Sequence, residues 1–158
     1  MRVGQGFDIH RTSDDPSRPL VLGGVTIPGA LGLVGHSDAD VVTHAIADAL
    51  LGAAGLGDLG QHFPDTDPGT EGVRSIELLT DVLGLIRAAG YTVGNVDATV
   101  VAEAPKLAPH RAAMEASLSA IVGAPVSIKA TTMERLGPIG AGEAIAAMAV
   151  VLLEGSTP

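Results

Sequence analysis

Apolar residues recur along the chain at two spacings, one typical of β-strands and the other of α-helices. Runs rich in valine, isoleucine and leucine that are bounded by turn residues predict strands. Two such runs flank Gly23-Gly24, and a two-residue glycine turn of this kind predicts a hairpin. The predicted strands are Arg2–His10, Leu20–Leu22, Val25–Ile27, Tyr91–Val101, in which Asn95 is a weak point, and Val126–Thr131.

Three segments are predicted to form helices. The predicted helices are Asp38–Ala53, Ser75–Ala89 and Ala108–Ile121. Ser37 followed by Asp40 resembles a capping box at the start of the first helix. Residues 56–72 form a loop rich in glycine, proline and aspartate, and loops of this length are usually functional or disordered.

The segment Ala144–Leu153 is apolar throughout, which is typical both of a central strand and of a buried helix. The order of strands and helices along the chain favours a two-layer α/β sandwich. At 158 residues the chain is expected to form a single domain, residues 1–158.

Composition excludes several classes of function. The absence of cysteine rules out disulfides, thiolate zinc sites and a cysteine nucleophile. A net charge of -9 and an aromatic content of 2% make nucleic acid an unexpected partner. No apolar run approaches the ~20 residues that span a membrane, and the first residues have no signal or transit pattern. A soluble, cytoplasmic protein is expected.

Asp8-Ile9-His10 is the first candidate for chemistry. Residues two apart on a strand point to the same face, so Asp8 and His10 are expected to converge while Ile9 faces the core. Together with His44 from the first helix they form one carboxylate and two imidazoles. That is the ligand set of a catalytic zinc site, which leaves a fourth position open for substrate or water.

On the first helix, Asp40, His44 and Asp48 recur at i, i+4 and i+8 and share a face. This pattern is typical of a solvated polar face. On a helix that is otherwise very apolar, it also fits two carboxylates that orient a metal-ligating histidine through its second ring nitrogen.

Three further segments carry weaker signals. Gly35-His36-Ser37 precedes a helix, where free backbone N–H groups favour phosphate, and it also fits an ordinary cap. The acidic, glycine-containing segments 57–60 and 63–68 suit sugar hydroxyls or a hard cation, and equally suit turns. Residues 129–134 end a predicted strand and fit surface polar groups.

Taken together and in order, these motifs resemble a known family, the 2-C-methyl-D-erythritol 2,4-cyclodiphosphate synthases of the non-mevalonate isoprenoid pathway. The resemblance covers nearly the whole chain at the family's spacing, which makes it specific. The matching segments are Gly4–His10, His36–Asp40, His44–Ala53, Gly57–Gly60, Phe63–Asp67, Gly94–Asp97, Ala104–Lys106 and Lys129–Thr132.

The resemblance implies an α+β fold with a mixed four-stranded sheet and an N-terminal hairpin, assembling as a homotrimer with active sites between subunits. It implies a phosphorus–oxygen lyase that cyclises 4-diphosphocytidyl-2-C-methyl-D-erythritol 2-phosphate to the 2,4-cyclodiphosphate and releases CMP. It places one Zn2+ per subunit on Asp8, His10 and His44. It also implies Mg2+ or Mn2+ bridging the α- and β-phosphates of the substrate.

The resemblance further implies how the substrate is held. His36 would act as a positioner and donor, Ser37 would bind the phosphates, and Thr132 would hydrogen-bond the β-phosphate. The methylerythritol part would contact Asp58, Leu59, Gly60, Phe63, Pro64, Asp65, Thr66 and Asp67. The cytidine diphosphate part would contact Ala102, Glu103, Ala104, Pro105, Lys106, Leu107, Ala108, Thr131, Met133 and Glu134, completed across the subunit boundary.

Two positions depart from the family pattern. Pro138 stands where many members have an aromatic residue, and Ala141 stands where many have arginine. In the family these positions line a cavity on the trimer axis, which in some members holds an isoprenoid diphosphate. Because the missing arginine is a phosphate partner, weak binding of such a ligand is expected.

The implied reaction needs no strong general base, because a phosphate monoester with a second pKa of ~6 is mostly dianionic at neutral pH. Positioning and charge neutralisation are expected to dominate. Two alternatives remain: a zinc hydrolase of phosphate esters on the same scaffold, and a trimeric binding module with a vestigial site. The hydrolase would release an open-chain product, and the module would show no turnover.

Overall fold

The described part of the chain forms a mixed four-stranded sheet, a separate two-stranded hairpin and five helices. A computed structural model describes residues 1–66, 69 and 72–155. The strands are β1 (Arg2–Arg11), β2 (Pro19–Leu22), β3 (Val25–Leu31), β4 (Tyr91–Val101), β5 (Val126–Thr131) and β6 (Ala144–Gly155). The helices are α1 (Val41–Ala54), α2 (Leu59–His62), α3 (Ser75–Ala88), α4 (Arg111–Val122) and α5 (Gly137–Gly140).

The main sheet has the strand order β1-β6-β4-β5. The central strand β6 pairs antiparallel with β1 and β4, and β5 pairs parallel with β4. The other two strands, β2 and β3, form the predicted hairpin. The α+β class with a mixed four-stranded sheet and a hairpin near the N-terminus is therefore confirmed.

Several predicted boundaries are confirmed and others are wrong. The strands β4 and β5 match the prediction, and the register of β4 against β6 shifts between Val93 and Asn95, the predicted weak point. The ambiguous apolar segment is the strand β6. The helix α1 begins at Val41 and is capped by the Asp40 side chain, so the expected cap at Ser37 is wrong. Helix α4 begins at Arg111, because a turn that joins the His110 N–H to the Leu107 carbonyl precedes it.

The helix α1 lies at the centre of the core, and ten of its fourteen residues are buried. It packs directly on β1, since Gly4 and Gly6 present no side chain to it. A Cβ atom on Gly6 would lie 2.0 Å from the Ala45 carbonyl oxygen, and one on Gly4 would lie 2.0 Å from that of Ala49. The two glycines therefore allow the strand backbone to approach the helix backbone closely.

The opposite face of the sheet is exposed, and large apolar side chains cover much of its β1 and β6 part, whereas β4 and β5 present polar residues there, such as the ion pair of Asp97 with Lys129. The side chains of Val3, Phe7 and Ile9 alternate with the helix-covered positions of β1, and Met148 and Val150 stand on the same face of β6. The expectation that Ile9 faces the core is therefore wrong, because the glycines, Asp8 and His10 occupy the helix-covered face. Among the described residues, no helix combines the length and the apolar character that crossing a membrane requires.

Candidate active site

Asp8, His10 and His44 meet where the end of β1 crosses the first half of α1. The Oδ2 atom of Asp8 lies 3.2 Å from Nε2 of His10 and 3.0 Å from Nδ1 of His44. Three potential ligand atoms, one from each residue, lie within 4.8 Å of one another. All three side chains remain partly exposed, so a ligand can reach them. The predicted cluster is therefore assembled within one chain.

The second nitrogen of each histidine has its own partner. Nδ1 of His10 donates to the carbonyl oxygen of Val34 at 2.6 Å. Nε2 of His44 lies 2.8 Å from Oγ of Ser75 and 3.3 Å from Oγ of Ser37. Two imidazoles held through their outer nitrogens, with one carboxylate, are the donor chemistry of a catalytic zinc site. The residues present fit that metal.

Asp8 and the two histidines shift the pKa values in the cluster. Burial acts to raise the pKa of Asp8, but hydrogen bonds and charge interactions with His10 and His44 hold that pKa well below its usual value. The hydrogen bond to Asp8 raises the pKa of His10 above its usual value, against the opposing effect of burial. Asp8 is therefore a carboxylate, and it supplies negative charge where a cation would sit.

The hydrogen-bond partners of the His44 ring are Asp8, Ser37 and Ser75 rather than Asp40 or Asp48, contrary to the second interpretation of the helix face. The Asp40 carboxylate accepts hydrogen bonds from the start of α1 and from the N–H groups of Gly23 and Gly24 in the hairpin turn. Asp48 accepts the N–H of Leu59 at 2.7 Å, and its partial burial raises its pKa. Both carboxylates therefore join neighbouring segments to α1.

The segment between β3 and α1 forms one wall of the site. The Arg18 guanidinium donates to the carbonyl oxygens of Leu33, Gly35 and Ser37, with the Gly35 bond at 3.0 Å and the Ser37 bond at 2.6 Å. Gly35 lies against the ring of His10, since a Cβ atom there would lie 3.0 Å from its Cε1. This clamp sets the position of His36 and Ser37.

A cavity of about 540 Å3 opens beside the cluster. It joins the histidines to the segment preceding α1 and to the loop after it, and its lining is His10, Val34, Gly35, His36, Ser37, His44, Leu59, Gly60, Phe63, Pro64, Asp65 and Leu78. Most of the residues predicted to contact the methylerythritol are in this lining. Asp58 instead caps α2 through the Gln61 N–H at 2.9 Å. Thr66 is exposed outside the lining, and Asp67 lies outside the described residues.

The predicted cytidine diphosphate segments lie at the other edge of the sheet. Residues 102–108 follow β4 and residues 131–134 end β5, and these neighbouring strands are joined there by the Ala102 N–H and the Thr131 carbonyl at 3.0 Å. Thr132 Oγ1 donates to Oε1 of Glu134 at 3.1 Å. Across the sheet, β4 lies two strand spacings, about 10 Å, from β1, and β5 lies three, about 14 Å. The lining of the cavity beside Asp8, His10 and His44 includes no residue of these segments.

Sequence reasoning missed three groups that shape the site: Ser75, Arg18 and the Val34 carbonyl. Ser75 begins a helix, so its pattern is that of an ordinary helix start. Arg18 lies in a polar turn, and nothing in its neighbourhood points to a segment more than fifteen residues away. Only long-range packing reveals these contacts.

Comparison with known proteins agrees with the geometry. The sequence model of the YgbB family matches residues 1–154. The chain belongs to the YgbB family. It is 56% identical over 156 residues to the 2-C-methyl-D-erythritol 2,4-cyclodiphosphate synthase of Trichlorobacter lovleyi, covering 97% of this chain and 98% of that protein. The predicted resemblance is confirmed.

Solved structures of similar proteins share the fold of this YgbB family chain. A 2C-methyl-D-erythritol-2,4-cyclodiphosphate synthase in a CDP-bound form has 41% identity and a TM-score of 0.88, with 97% of this chain and 100% of that chain covered. The bifunctional IspDF from Campylobacter jejuni has 40% identity and a TM-score of 0.92. That match covers 98% of this chain and 42% of the longer bifunctional chain.

Proposed function

We propose that this chain cyclises 4-diphosphocytidyl-2-C-methyl-D-erythritol 2-phosphate to 2-C-methyl-D-erythritol 2,4-cyclodiphosphate and releases CMP. The observation that carries the proposal is the Asp8, His10 and His44 cluster, which opens into the cavity lined by His36 and Ser37. The named synthases that this chain resembles over nearly its whole length support the same reaction.

Asp8, His10 and His44 would hold zinc through Oδ2, Nε2 and Nδ1. When bound there, zinc supplies a Lewis acid that polarises the β-phosphate. With three protein ligands, such a site would leave a fourth position for an oxygen of the substrate. Mg2+ or Mn2+ would reach the site with the substrate diphosphate, since these cations take phosphate oxygens as ligands.

The chemistry joins two phosphates of one substrate. An oxygen of the 2-phosphate forms a bond to the β-phosphorus, and the bond from that phosphorus to the oxygen it shares with the α-phosphate breaks. The electron pair of the broken bond leaves on CMP. The attacking phosphate needs no proton removed when it is dianionic, so the residues of the chain act by positioning.

Each proposed contact has a place in this scheme. Ser37 and His36 would hold the phosphates, on a segment whose backbone is clamped by Arg18. Leu59, Gly60 and the segment 63–66 would enclose the methylerythritol, and Asp67 is assigned to it by resemblance alone. Thr132 would hydrogen-bond the β-phosphate from a neighbouring subunit. The net charge of -9 opposes the approach of an anion, so the cations and this local hydrogen bonding must offset the overall field.

A homotrimer completes the proposal. Exposed apolar side chains cover much of the open face of β1 and β6, and contiguous apolar patches of this kind mark interfaces between proteins. Asp8 and His10 lie on the edge strand β1, and the cytidine segments follow β4 and the opposite edge strand β5. This separation is expected if each site takes its metal ligands from one subunit and its cytidine contacts from the next. We also propose that residues 1–158 form a single domain and that the protein acts in the cytoplasm.

Phosphorus NMR of the reaction tests the function directly. Wild-type protein supplied with the cytidylated substrate, zinc and Mg2+ should produce CMP and the cyclic diphosphate together. Excess chelator and the variant His44→Gln should each abolish both signals, whereas Thr80→Ala, at an exposed hydroxyl on α3, should change neither. CMP with an open-chain product would instead identify a hydrolase, and no turnover with intact metal binding would identify a binding module.

Mixed subunits test the interface. His44→Ala and Thr132→Ala chains should each be inactive, because the first lacks a metal ligand in every site and the second lacks the β-phosphate contact in every site. After verified subunit exchange, some interfaces would combine an intact metal half with an intact cytidine half, and part of the activity should return. Activity that stays at zero would mean that each site is built within one chain.

A further inference from the structure

Ser75 is a buried polar residue that neither the motifs nor the proposed chemistry assigns. It is the first residue of α3 and is fully buried. Its Oγ lies 2.8 Å from Nε2 of His44, and it donates its own hydroxyl proton to Oδ1 of Asp38. The Ser75 N–H also lies 3.2 Å from both carboxylate oxygens of Asp38. Asp38, Ser75 and His44 therefore form a continuous chain of hydrogen bonds.

Counting donors limits where each proton in this chain can lie. An ionised carboxylate accepts hydrogen bonds and donates none, so the Ser75 hydroxyl proton points to Asp38. The serine oxygen then presents only lone pairs to His44, so it can accept a proton that Nε2 of the ring carries. An imidazole with a single N–H places that proton either on Nε2, facing Ser75, or on Nδ1, facing Asp8.

Asp8 and Ser75 compete for the proton of the His44 ring. Nδ1 of His44 lies 3.0 Å from Oδ2 of Asp8, so in the absence of Ser75 the other tautomer would donate to that carboxylate. A proton on Nδ1 would occupy the atom that faces the cluster. The Asp38–Ser75 pair opposes this by giving Nε2–H a strong acceptor.

We propose that Asp38 and Ser75 are positioning residues that hold His44 in its Nε2–H tautomer and so keep Nδ1 free as a metal ligand. The inference rests on the metal-binding role proposed above for His44. Outer partners of metal-ligating histidines typically change metal affinity by 10- to 100-fold when they are removed. Ser37, at 3.3 Å from Nε2, is the weaker second acceptor.

The experiment compares wild type, Ser75→Ala and the control Thr80→Ala, which removes from the same helix an exposed hydroxyl that donates to the Ile76 carbonyl. Two-bond proton–nitrogen correlation spectra of metal-free, 15N-histidine-labelled protein at pH 8.5 report the tautomer of each ring, with His44 assigned from a His44→Gln variant. Competition with a chromophoric chelator gives the zinc dissociation constant.

In wild type and Thr80→Ala we expect the Nε2–H tautomer at His44 and equal zinc affinity. In Ser75→Ala the Nδ1–H tautomer should gain population, and zinc binding should weaken by 10- to 100-fold. Asp38→Asn should shift both readouts in the same direction, because its amide nitrogen can donate to Ser75 and turn the hydroxyl proton toward His44. That variant also decides the matter if Ser75→Ala does not fold.

An Nδ1–H tautomer in wild type, or unchanged tautomer and affinity in both variants, would overturn the inference. These outcomes are separate from the fate of the proposed function. A wild-type protein that binds zinc and shows the Nε2–H ring but releases no CMP would refute the proposed reaction and leave the positioning role standing. The tautomer spectrum needs no metal, so it also decides the role if zinc is not the cation bound.

Discussion

Gly6→Ala should disrupt the cluster of Asp8, His10 and His44, although it replaces none of these three residues. A Cβ at Gly6 would lie 2.0 Å from the Ala45 carbonyl oxygen and 2.7 Å from the Ala49 nitrogen, both of them backbone atoms of α1. Ordinary contact begins at about 3.4 Å, so β1 and α1 must separate by roughly 1.4 Å at this point. Asp8 is two residues along the same face of the strand, and His44 precedes Ala45 on the helix.

That displacement is large compared with what a metal site tolerates, since ligand distances must hold within about 0.2 Å. We therefore expect zinc affinity to fall by at least about 100-fold, the upper end of the effect of disturbing a ligand's support. Overpacking of a dense core typically costs about 1–3 kcal/mol and occasionally more, so the free energy of unfolding should fall as well.

Two other glycines separate these effects. Gly4→Ala creates an equally short contact with α1, but four residues from Asp8. It should destabilise the fold similarly and weaken zinc binding less. Gly84→Ala, on the exposed side of α3 with no atom within 4 Å of the new Cβ, should raise stability by about 0.5–1 kcal/mol.

Chelator competition measures zinc affinity, and urea denaturation at one fixed protein concentration measures stability. Folded Gly6→Ala protein that binds zinc as tightly as wild type would refute the reasoning. It would mean that the strand can bend locally and keep Asp8 and His10 in place.

Three further substitutions probe the support around the site. Asp40→Asn should lower the free energy of unfolding by about 1.5–3 kcal/mol, because the amide nitrogen of asparagine would face a backbone N–H that the buried carboxylate accepts in wild type. Urea denaturation measures the loss. A loss no larger than that of Asp15→Asn, which changes an exposed carboxylate in a turn, would contradict the prediction. Arg18→Met removes three hydrogen bonds to the segment that carries His36, and should raise KM for the cytidylated substrate about tenfold or more; steady-state kinetics with an unchanged KM would contradict that role. Ala141→Arg should create measurable calorimetric binding of geranyl diphosphate where wild type binds weakly, since an arginine adds a charge-assisted partner for the diphosphate; tight wild-type binding that the change leaves unaltered would show that other groups hold it.

Local pattern was sufficient for much of this fold. The runs of β-branched residues set β4 and β5 at their observed ends, and Asn95 marked the irregular point of β4. The spacing of Asp8 and His10 placed both on one face of a strand, because side chains alternate along an extended backbone. The type and spacing of residues also indicated zinc, since one carboxylate and two imidazoles form a recognisable ligand set.

The local sequence pattern was insufficient wherever the type of an element or the burial of a residue depended on which other segment packs against it. Ala144–Leu153 is apolar enough for a helix, and it is a strand because β1 and β4 pair with its two edges. Ile9 is apolar yet exposed, because two glycines on the other face bring α1 against that side of β1.

The sequence by itself indicated the candidate metal ligands, through residue type, the spacing of Asp8 and His10 and the resemblance to a known family, and it indicated helices packed on a sheet. Only the tertiary structure decided what supports them. Ser75 reaches His44 across 31 positions, and Arg18 reaches Ser37 across 19. Asp40 and Asp48 share a helical face with His44 but use their carboxylates on the hairpin and on Leu59. Hydrogen-bond partners are chosen by three-dimensional proximity and by the need of buried N–H groups for an acceptor, and neither is encoded in the local spacing of residues.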